Sequence, residues 1–131
     1  MGKAAAKQGD RVIGTDVHIV LVPSSGGPVP TPMSLPFSAT ITESCSTSVL
    51  IEGKAAAVAG SATTNQPAHV APSGRFAREP ANRGKVLLGS PTVLVDGKPA
   101  ARAGDRVLTC NDPADAPVGI VQATSTVLIG P

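Results

Sequence analysis

Short apolar stretches alternate with turn residues along this chain, and one such pattern occurs twice without a gap. Residues 46–61 read Ser-Thr-Ser-Val-Leu-Ile-Glu-Gly-Lys-Ala-Ala-Ala-Val-Ala-Gly-Ser, and residues 90–105 read Ser-Pro-Thr-Val-Leu-Val-Asp-Gly-Lys-Pro-Ala-Ala-Arg-Ala-Gly-Asp. The two segments match along their whole length. Self-similarity of this kind predicts a repeated structural unit.

Each copy predicts a β-hairpin. Glu52-Gly53 in one copy and Asp96-Gly97 in the other separate an apolar, β-branched strand from a second short strand. Glycine at the second turn position supplies the positive φ that a two-residue type I′ turn requires. The alanine run after the turn would suit a helix by propensity alone, but its Gly and Pro neighbours and the turn signal favour a strand.

A third copy is divided between the two ends of the chain. Residues 2–10 (Gly-Lys-Ala-Ala-Ala-Lys-Gln-Gly-Asp) match the second half of the unit, and residues 125–130 (Ser-Thr-Val-Leu-Ile-Gly) match the first half. We therefore expect the chain termini to pair, which leaves no free edge strand there. The predicted fold class is all-β, with three hairpins around a pseudo-threefold axis and long loops between them.

The composition agrees with a small β-rich domain, predicted to span residues 1–131. Trp and Tyr are absent, there are two Phe, and Gly (14) and Pro (13) are frequent. Small side chains suit a narrow threefold axis, where three units crowd together. The net charge is +2 and no aromatics interleave with the basic residues, which is a poor nucleic-acid signature. No apolar run approaches the ~20 residues of a membrane helix.

The N-terminus lacks the hydrophobic region of a signal peptide, so we expect the protein to fold in the cytoplasm. In that compartment Cys45 and Cys110 favour metal binding or free thiols over a disulfide. About ten residues precede the first Gly-Asp boundary and none follow Pro131. We therefore expect no appended domain at either end of the chain.

Each repeat is followed by one residue that can bind a metal. His18 and His69 lie at the same distance past the end of their repeats, and Cys110 follows the third repeat. Three symmetry-related loops would then each bring one ligand toward the axis. Two imidazoles and a thiolate suit Zn²⁺, which prefers four tetrahedral N or S ligands in structural sites. We predict one structural zinc ion, with iron as the alternative metal and incidental His and Cys residues as the alternative interpretation.

The fourth ligand breaks the symmetry of the three loops. Cys45 would complete a Cys₂His₂ set, because it lies at the hairpin end from which the His69 loop departs. Asp112, Asp115, Asp16 and water are the alternatives.

Pro99-Ala100-Ala101-Arg102, inside residues 97–105, resembles the signature of PAAR-repeat proteins, and residues 53–60 and 2–9 resemble variant copies of it. The segments Pro23–Pro36 and Asn65–Gly84 are similar to those of PAAR-like tip proteins. Such proteins belong to contractile injection particles, which are type VI secretion systems, extracellular contractile injection systems and contractile phage tails.

The resemblance implies a short cone with a zinc ion near its point, whose base sits as a monomer on a trimeric β-helical spike such as a VgrG-type protein. Family metal sites are described as three His and one Cys. His18, His69 and Cys110 fall at matching places, whereas Asn111 and Asp112 stand where a third His would be expected.

The function implied is structural. The protein would cap and sharpen the spike and aid membrane puncture, with transient contact to a target membrane, after synthesis in the cytoplasm and assembly at the tip of a secreted or extracellular particle. The alternative is an adaptor that carries secreted effectors non-covalently. We expect no enzyme, because the chain lacks His-Glu-x-x-His and Gly-x-Ser-x-Gly, although zinc with an open position would activate water.

Two further segments carry weaker predictions. Pro23–Pro32 is rich in Pro and Gly and predicts an ordered surface loop, or else a contact with the spike or with cargo. The local basic cluster predicts a solvated face, or else a surface that pairs with acidic groups of the spike rim. Its members are Arg75, Arg78, Arg83 and Lys85.

Overall fold

The computed structural model describes residues 2–130, and all regular elements in this range are β-strands. Three two-stranded antiparallel hairpins adjoin a closed, barrel-like cone. The hairpins pair β1 (Lys3–Ala4) with β13 (Leu128–Ile129), β4 (Leu50–Ile51) with β5 (Lys54–Ala55), and β9 (Leu94–Val95) with β10 (Lys98–Pro99). The predicted all-β, pseudo-threefold fold is confirmed.

Six strands close the barrel in the order β12-β11-β8-β6-β3-β2, because β12 also pairs with β2. A short strand, β7, extends the sheet beside the far end of β2. The bounds are β2 (Arg11–Val22), β3 (Val29–Glu43), β6 (Ala62–Asn65), β7 (Arg75–Phe76), β8 (Arg83–Val86), β11 (Arg106–Thr109) and β12 (Ala116–Gln122). Within residues 2–130 no helix is long and apolar enough to cross a membrane.

The hairpin turns follow the sequence prediction. Both central residues have positive φ in each turn, 51° and 83° at Glu52-Gly53 and 52° and 79° at Asp96-Gly97. Positive φ at both positions defines the type I′ turn. The alanine run after each turn is extended rather than helical. In the third hairpin Lys3 pairs with Ile129, so the pairing of the chain ends is also confirmed.

A ring of backbone hydrogen bonds ties the three repeats together around the axis. The N–H of Ala6 donates to the carbonyl of Ala101 at 2.9 Å, that of Ala101 to Ala57 at 3.0 Å, and that of Ala57 to Ala6 at 3.0 Å. All three side chains are buried in one cluster. Each of the three occupies the same place in its repeat, so a larger residue would meet its two counterparts across the axis. The absence of large aromatics here is a geometric requirement.

The three hairpins also hold one another through their turns. The carboxylate of Glu52 accepts the N–H of Thr126 at 3.0 Å and its hydroxyl at 2.8 Å. The carboxylate of Asp96 likewise accepts the hydroxyls of Ser46 and Ser48. In each case the acid at the turn of one repeat binds the residues that precede the first strand of another repeat.

The third contact of this kind uses a backbone group. The divided repeat contributes no turn acid, and there the hydroxyl of Ser90 donates to the carbonyl of Gly130 at 3.0 Å. Each repeat thus holds the start of one other repeat, and the three contacts form a closed cycle.

The Pro-rich segment Pro23–Pro32 agrees with its prediction only in part: residues 23–28 form a loop, but residues 29–32 belong to β3. Twelve residue pairs join β2 and β3, from Arg11 opposite Thr40 to Val22 opposite Val29. Backbone N–H groups point to alternate edges along a strand. The prolines of β3 are Pro30, Pro32 and Pro36, so the N–H groups that they lack would all have pointed to the same edge. On that edge the N–H of Ser38 still donates to Asn65, but β6 pairs with β3 only from Ala39 onward. The prolines therefore cost the sheet no hydrogen bond.

We expect Ala57→Leu to destabilise the fold by about 1–3 kcal/mol, because the added carbons have no space at the axis. Ala114→Leu is the control, since Ala114 is exposed in the loop before β12. Urea unfolding of both variants measures the difference. Equal stability of the two variants would contradict the crowded axis.

The turn acids predict a pH dependence of stability. Hydrogen bonds from Thr126 lower the pKa of Glu52, and those from Ser46 and Ser48 lower the pKa of Asp96. A lowered folded-state pKa contributes stability that is present above the unfolded pKa, at about pH 4–4.5, and is lost as the pH falls through the folded pKa.

The Glu52→Gln/Asp96→Asn double variant should therefore lose less stability than the native chain between pH 6 and pH 3. Asn and Gln keep the shape of the side chains, and Asn tolerates positive φ. Asp115→Asn, which removes an exposed carboxylate outside the hairpins, should keep the native dependence. The measurement is the urea midpoint at each pH, and parallel curves for the native chain and the double variant would refute the expectation.

Candidate metal centre

The structure brings His18, His69 and Cys110 together at the end of the barrel away from the hairpins. β2, β6 and β11 each begin directly after a repeat, and each runs from the hairpins toward this end. His18 lies within β2, His69 in the segment after β6, and Cys110 directly after β11. The side chain of His18 and that of Cys110 are buried, and that of His69 is 3% exposed.

Asp16 is the fourth member of the group. One ligand atom from each of Asp16, His18, His69 and Cys110 lies within 4.8 Å of the other three. The Asp16 Oδ2 atom is 2.8 Å from the His69 Nε2, 3.5 Å from the Cys110 Sγ and 4.0 Å from the His18 Nε2. A carboxylate oxygen thus lies among two imidazoles and a thiol.

Cys45 is not a member of this group. Its thiol lies 3.8 Å from the carbonyl oxygen of Glu43, and its side chain packs against the buried core of the barrel. Cys45 follows the end of β3 next to the hairpins, which is the opposite end of the barrel from His69. The sequence prediction placed His69 near the hairpins beside Cys45, but β6 lies between them and carries the chain to the other end of the barrel before His69.

The signal for Asp16 is in the sequence, although it is weak. Asp16 and His18 are two residues apart on one strand, so their side chains point to the same face. Of the other acidic alternatives, Asp115 is exposed and Asp112 lies outside the group.

Neighbouring side chains orient the Asp16 carboxylate. Its Oδ1 accepts the hydroxyl of Thr109 and the side-chain amide of Asn111, the latter at 3.3 Å. The Asn111 Oδ1 in turn accepts the N–H of Val17 at 2.7 Å. Asn111 stands where a third histidine was expected, and here it holds the carboxylate so that Oδ2 faces the two histidines and the cysteine.

Hydrogen bonding also fixes the backbone of His69. Its N–H donates to the Asn82 Oδ1 at 2.8 Å, and the same oxygen accepts the side-chain amide of Asn65 at 3.1 Å. Asn65 is the last residue of β6, so two amide side chains connect the His69 segment to the barrel. The ring centroids of His69 and His18 are 5.1 Å apart.

The chemistry of these donors fits a metal ion. Within residues 2–130 neither ring nitrogen of His18 has a hydrogen-bond partner, although the residue is buried. A buried polar atom without a partner costs about 1–3 kcal/mol. Burial lowers the pKa of His18, which keeps the imidazole in the neutral form that binds metals.

The Cys110 thiol also indicates a metal site. Burial, followed by the negative charge of Asp16, raises its pKa to about 11. Without a cation the thiol therefore keeps its proton beside the carboxylate. A bound divalent ion would reverse this, because a thiol that coordinates zinc is deprotonated.

The distances are also compatible with zinc. Tetrahedral donors at 2.0–2.3 Å from a zinc ion lie roughly 3.3–3.8 Å from one another. The separations from the Asp16 Oδ2 run from 2.8 to 4.0 Å, so small side-chain shifts reach that range. The residues present thus fit one four-coordinate ion held by two N, one S and one O donor.

Three hairpins on a pseudo-threefold axis, a barrel-like cone and a four-residue candidate metal site define a class of small all-β proteins built on an internal repeat. Within it, residues 77–131 match the family model described as the PAAR motif. The C-terminal part of the chain thus carries a PAAR motif, and the matched residues include the β9–β10 hairpin, Cys110 and the C-terminal half of the divided repeat. The internal repeat and the ring of backbone hydrogen bonds relate the remaining residues to it. No curated protein matches the chain.

We expect Asp16→Asn to weaken zinc binding by at least about 10-fold, because the amide keeps the size of the carboxylate without its charge. Cys45→Ser should bind zinc like the native chain. Competition with a chromogenic chelator, with elemental analysis of the purified full chain, measures both. Loss of zinc in Cys45→Ser together with native binding in Asp16→Asn would reverse the assignment.

Proposed function

We propose that this protein is the structural tip of a contractile injection apparatus, where it caps and sharpens the blunt end of a trimeric β-helical spike such as a VgrG-type protein. The observation that carries the proposal is the threefold base. A monomer whose three hairpins are equivalent presents the same contact to each of the three chains of a spike. One copy of this chain therefore suffices for one trimer.

An equivalent leucine is exposed in each hairpin. Leu50, Leu94 and Leu128 occupy the same position of the repeat and are 64%, 63% and 65% exposed. The next residue along each strand turns inward, as Ile51 and Ile129 do in the cluster between the hairpins. Three exposed leucines in threefold arrangement form an apolar surface of the kind that marks an interaction site.

The metal centre supports a structural role at the other end of the cone. We propose that it holds one zinc ion, since a small fold with few bulky core residues gains stability from a bound metal. Four protein donors fill a tetrahedral zinc and leave no position for a reacting water. Turnover is accordingly not part of the proposed function.

This role implies where the protein is made, where it is assembled and what it contacts. The chain 1–131 acts as one tip domain that is made in the cytoplasm and assembled on the spike of a type VI secretion system, an extracellular injection system or a phage-like tail. Its contact with a target membrane is transient, because the sheath drives the tip through the envelope. The cone needs to resist force, and it does so through backbone pairing and a metal.

We expect Leu94→Asp to weaken binding to the purified spike trimer of the same particle by about 10-fold, and the triple Leu50→Asp/Leu94→Asp/Leu128→Asp variant to abolish it. The native leucines are exposed, so the variants should keep their fold, which circular dichroism checks. Val29→Asp is the matched control, because Val29 is an exposed apolar residue at the far end of β3. Calorimetric titration gives the dissociation constants, and equal losses in Leu94→Asp and Val29→Asp would rule out this base as the docking surface.

A further inference from the structure

The imidazole of His18 lies between two carboxylates. Its Nε2 faces the Asp16 Oδ2 at 4.0 Å, and its Nδ1 faces the Asp112 Oδ2 at 3.6 Å. Neither nitrogen has a hydrogen-bond partner within residues 2–130. The Nε2 side is the side of the metal-binding group, so the Nδ1 side needs a separate explanation.

Asp112 is fixed in place on both sides of His18. Its backbone N–H donates to the carbonyl of Val17 at 2.8 Å, and its Oδ2 accepts the N–H of Ile19 at 2.8 Å. These two bonds attach Asp112 to β2 at the residues that flank His18. The position of its carboxylate relative to the imidazole is therefore set by the strand itself.

Arg78 completes the attachment. Its guanidinium donates to the Asp112 Oδ1 from Nη2 at 2.7 Å and from Nε at 3.1 Å, and Nη2 also donates to the carbonyl of Asn111 at 2.8 Å. Of the two carboxylate oxygens, Oδ1 is thus occupied by Arg78 and Oδ2 is the one that faces His18. Arg78 and Asp112 line a cavity of about 240 Å³, which His18 and Cys110 also line.

We propose that Asp112 is a positioning residue for the metal centre, which accepts the Nδ1–H of His18 and thereby leaves the Nε2 lone pair free for the ion. The inference rests on the proposed metal site. Histidine ligands generally donate their second N–H to a carboxylate or carbonyl, which fixes the tautomer and the ring orientation. A shortening of ~0.5 Å brings the 3.6 Å separation to hydrogen-bond length.

The arrangement favours this role over direct coordination by Asp112. Its Oδ2 already accepts one backbone N–H, and its charge is paired with the guanidinium of Arg78. Asp16, Cys110 and the two histidines supply four donors without it. Arg78 also receives an assignment that the sequence did not provide, because the basic cluster predicted a solvated face or a contact with the spike rim.

The test compares the zinc-loaded native chain with Asp112→Asn. In the native chain, ¹⁵N–¹H correlation spectra of the imidazoles should show His18 protonated at Nδ1 and metal-bound at Nε2. In Asp112→Asn the Nδ1–H resonance should move upfield and exchange faster with water, and zinc should bind about 10–100-fold more weakly. Asp115→Asn, an exposed carboxylate on the same cavity, should change neither by more than about twofold.

Arg78→Gln separates positioning of the ring from attachment of the loop. It removes the ion pair but leaves the carboxylate against His18, so its zinc affinity should stay closer to native than that of Asp112→Asn. Equal losses in the two variants, with an unchanged His18 spectrum, would show that Asp112 only attaches the loop. Coordination of zinc through Nδ1, or native affinity in Asp112→Asn, would overturn this inference alone, whereas a native chain that binds no zinc would overturn the metal site as well.

Discussion

The ring of backbone hydrogen bonds among Ala6, Ala57 and Ala101 is the constraint on which the rest of the structure depends. A cycle of three N–H···O bonds closes only if the three backbones approach one axis, and this approach excludes side chains much larger than a methyl group. The fold therefore gives up a conventional core of aromatics at its base. Backbone pairing and the contacts between hairpin turns replace the apolar contacts that larger side chains would have made.

The same ring determines where the candidate metal site lies. Each repeat leaves the ring at its last glycine and enters the barrel, so β2, β6 and β11 begin together and run in the same direction away from the hairpins. The side chains of His18 and Cys110 meet because β2 and β11 start at the base and both pair with β12. Asn111 and Asp112 then bond to β2 at Val17 and Ile19, beyond Ile13, where the pairing of β2 with β12 ends.

Features encoded by neighbouring residues were predictable from the sequence, and features set by distant contacts were not. The turns at Glu52 and Asp96 follow from local φ preferences, and the pairing of the chain ends follows from a visible repeat. The place of Asp16 in the group depends on Thr109 and Asn111, more than ninety residues away. The first part of β3 resembled a loop because it is rich in proline. Those prolines are tolerated in a strand because the edge on which they lack an N–H is left unpaired by the tertiary fold, which neighbouring residues do not reveal.

The hairpin end of this molecule is close to threefold symmetric, whereas the end that holds the metal-binding group is not. Near the hairpins the three repeats agree in backbone pairing and in their exposed leucines. A tetrahedral ion needs four donors, which three equal strands do not supply. β2 resolves the mismatch by contributing both Asp16 and His18 from one face of one strand. β2 is also the longest strand that starts directly after a repeat, and it pairs along its whole length with β3. The departure from threefold symmetry therefore involves β2 and β3 together, and it extends away from the hairpins.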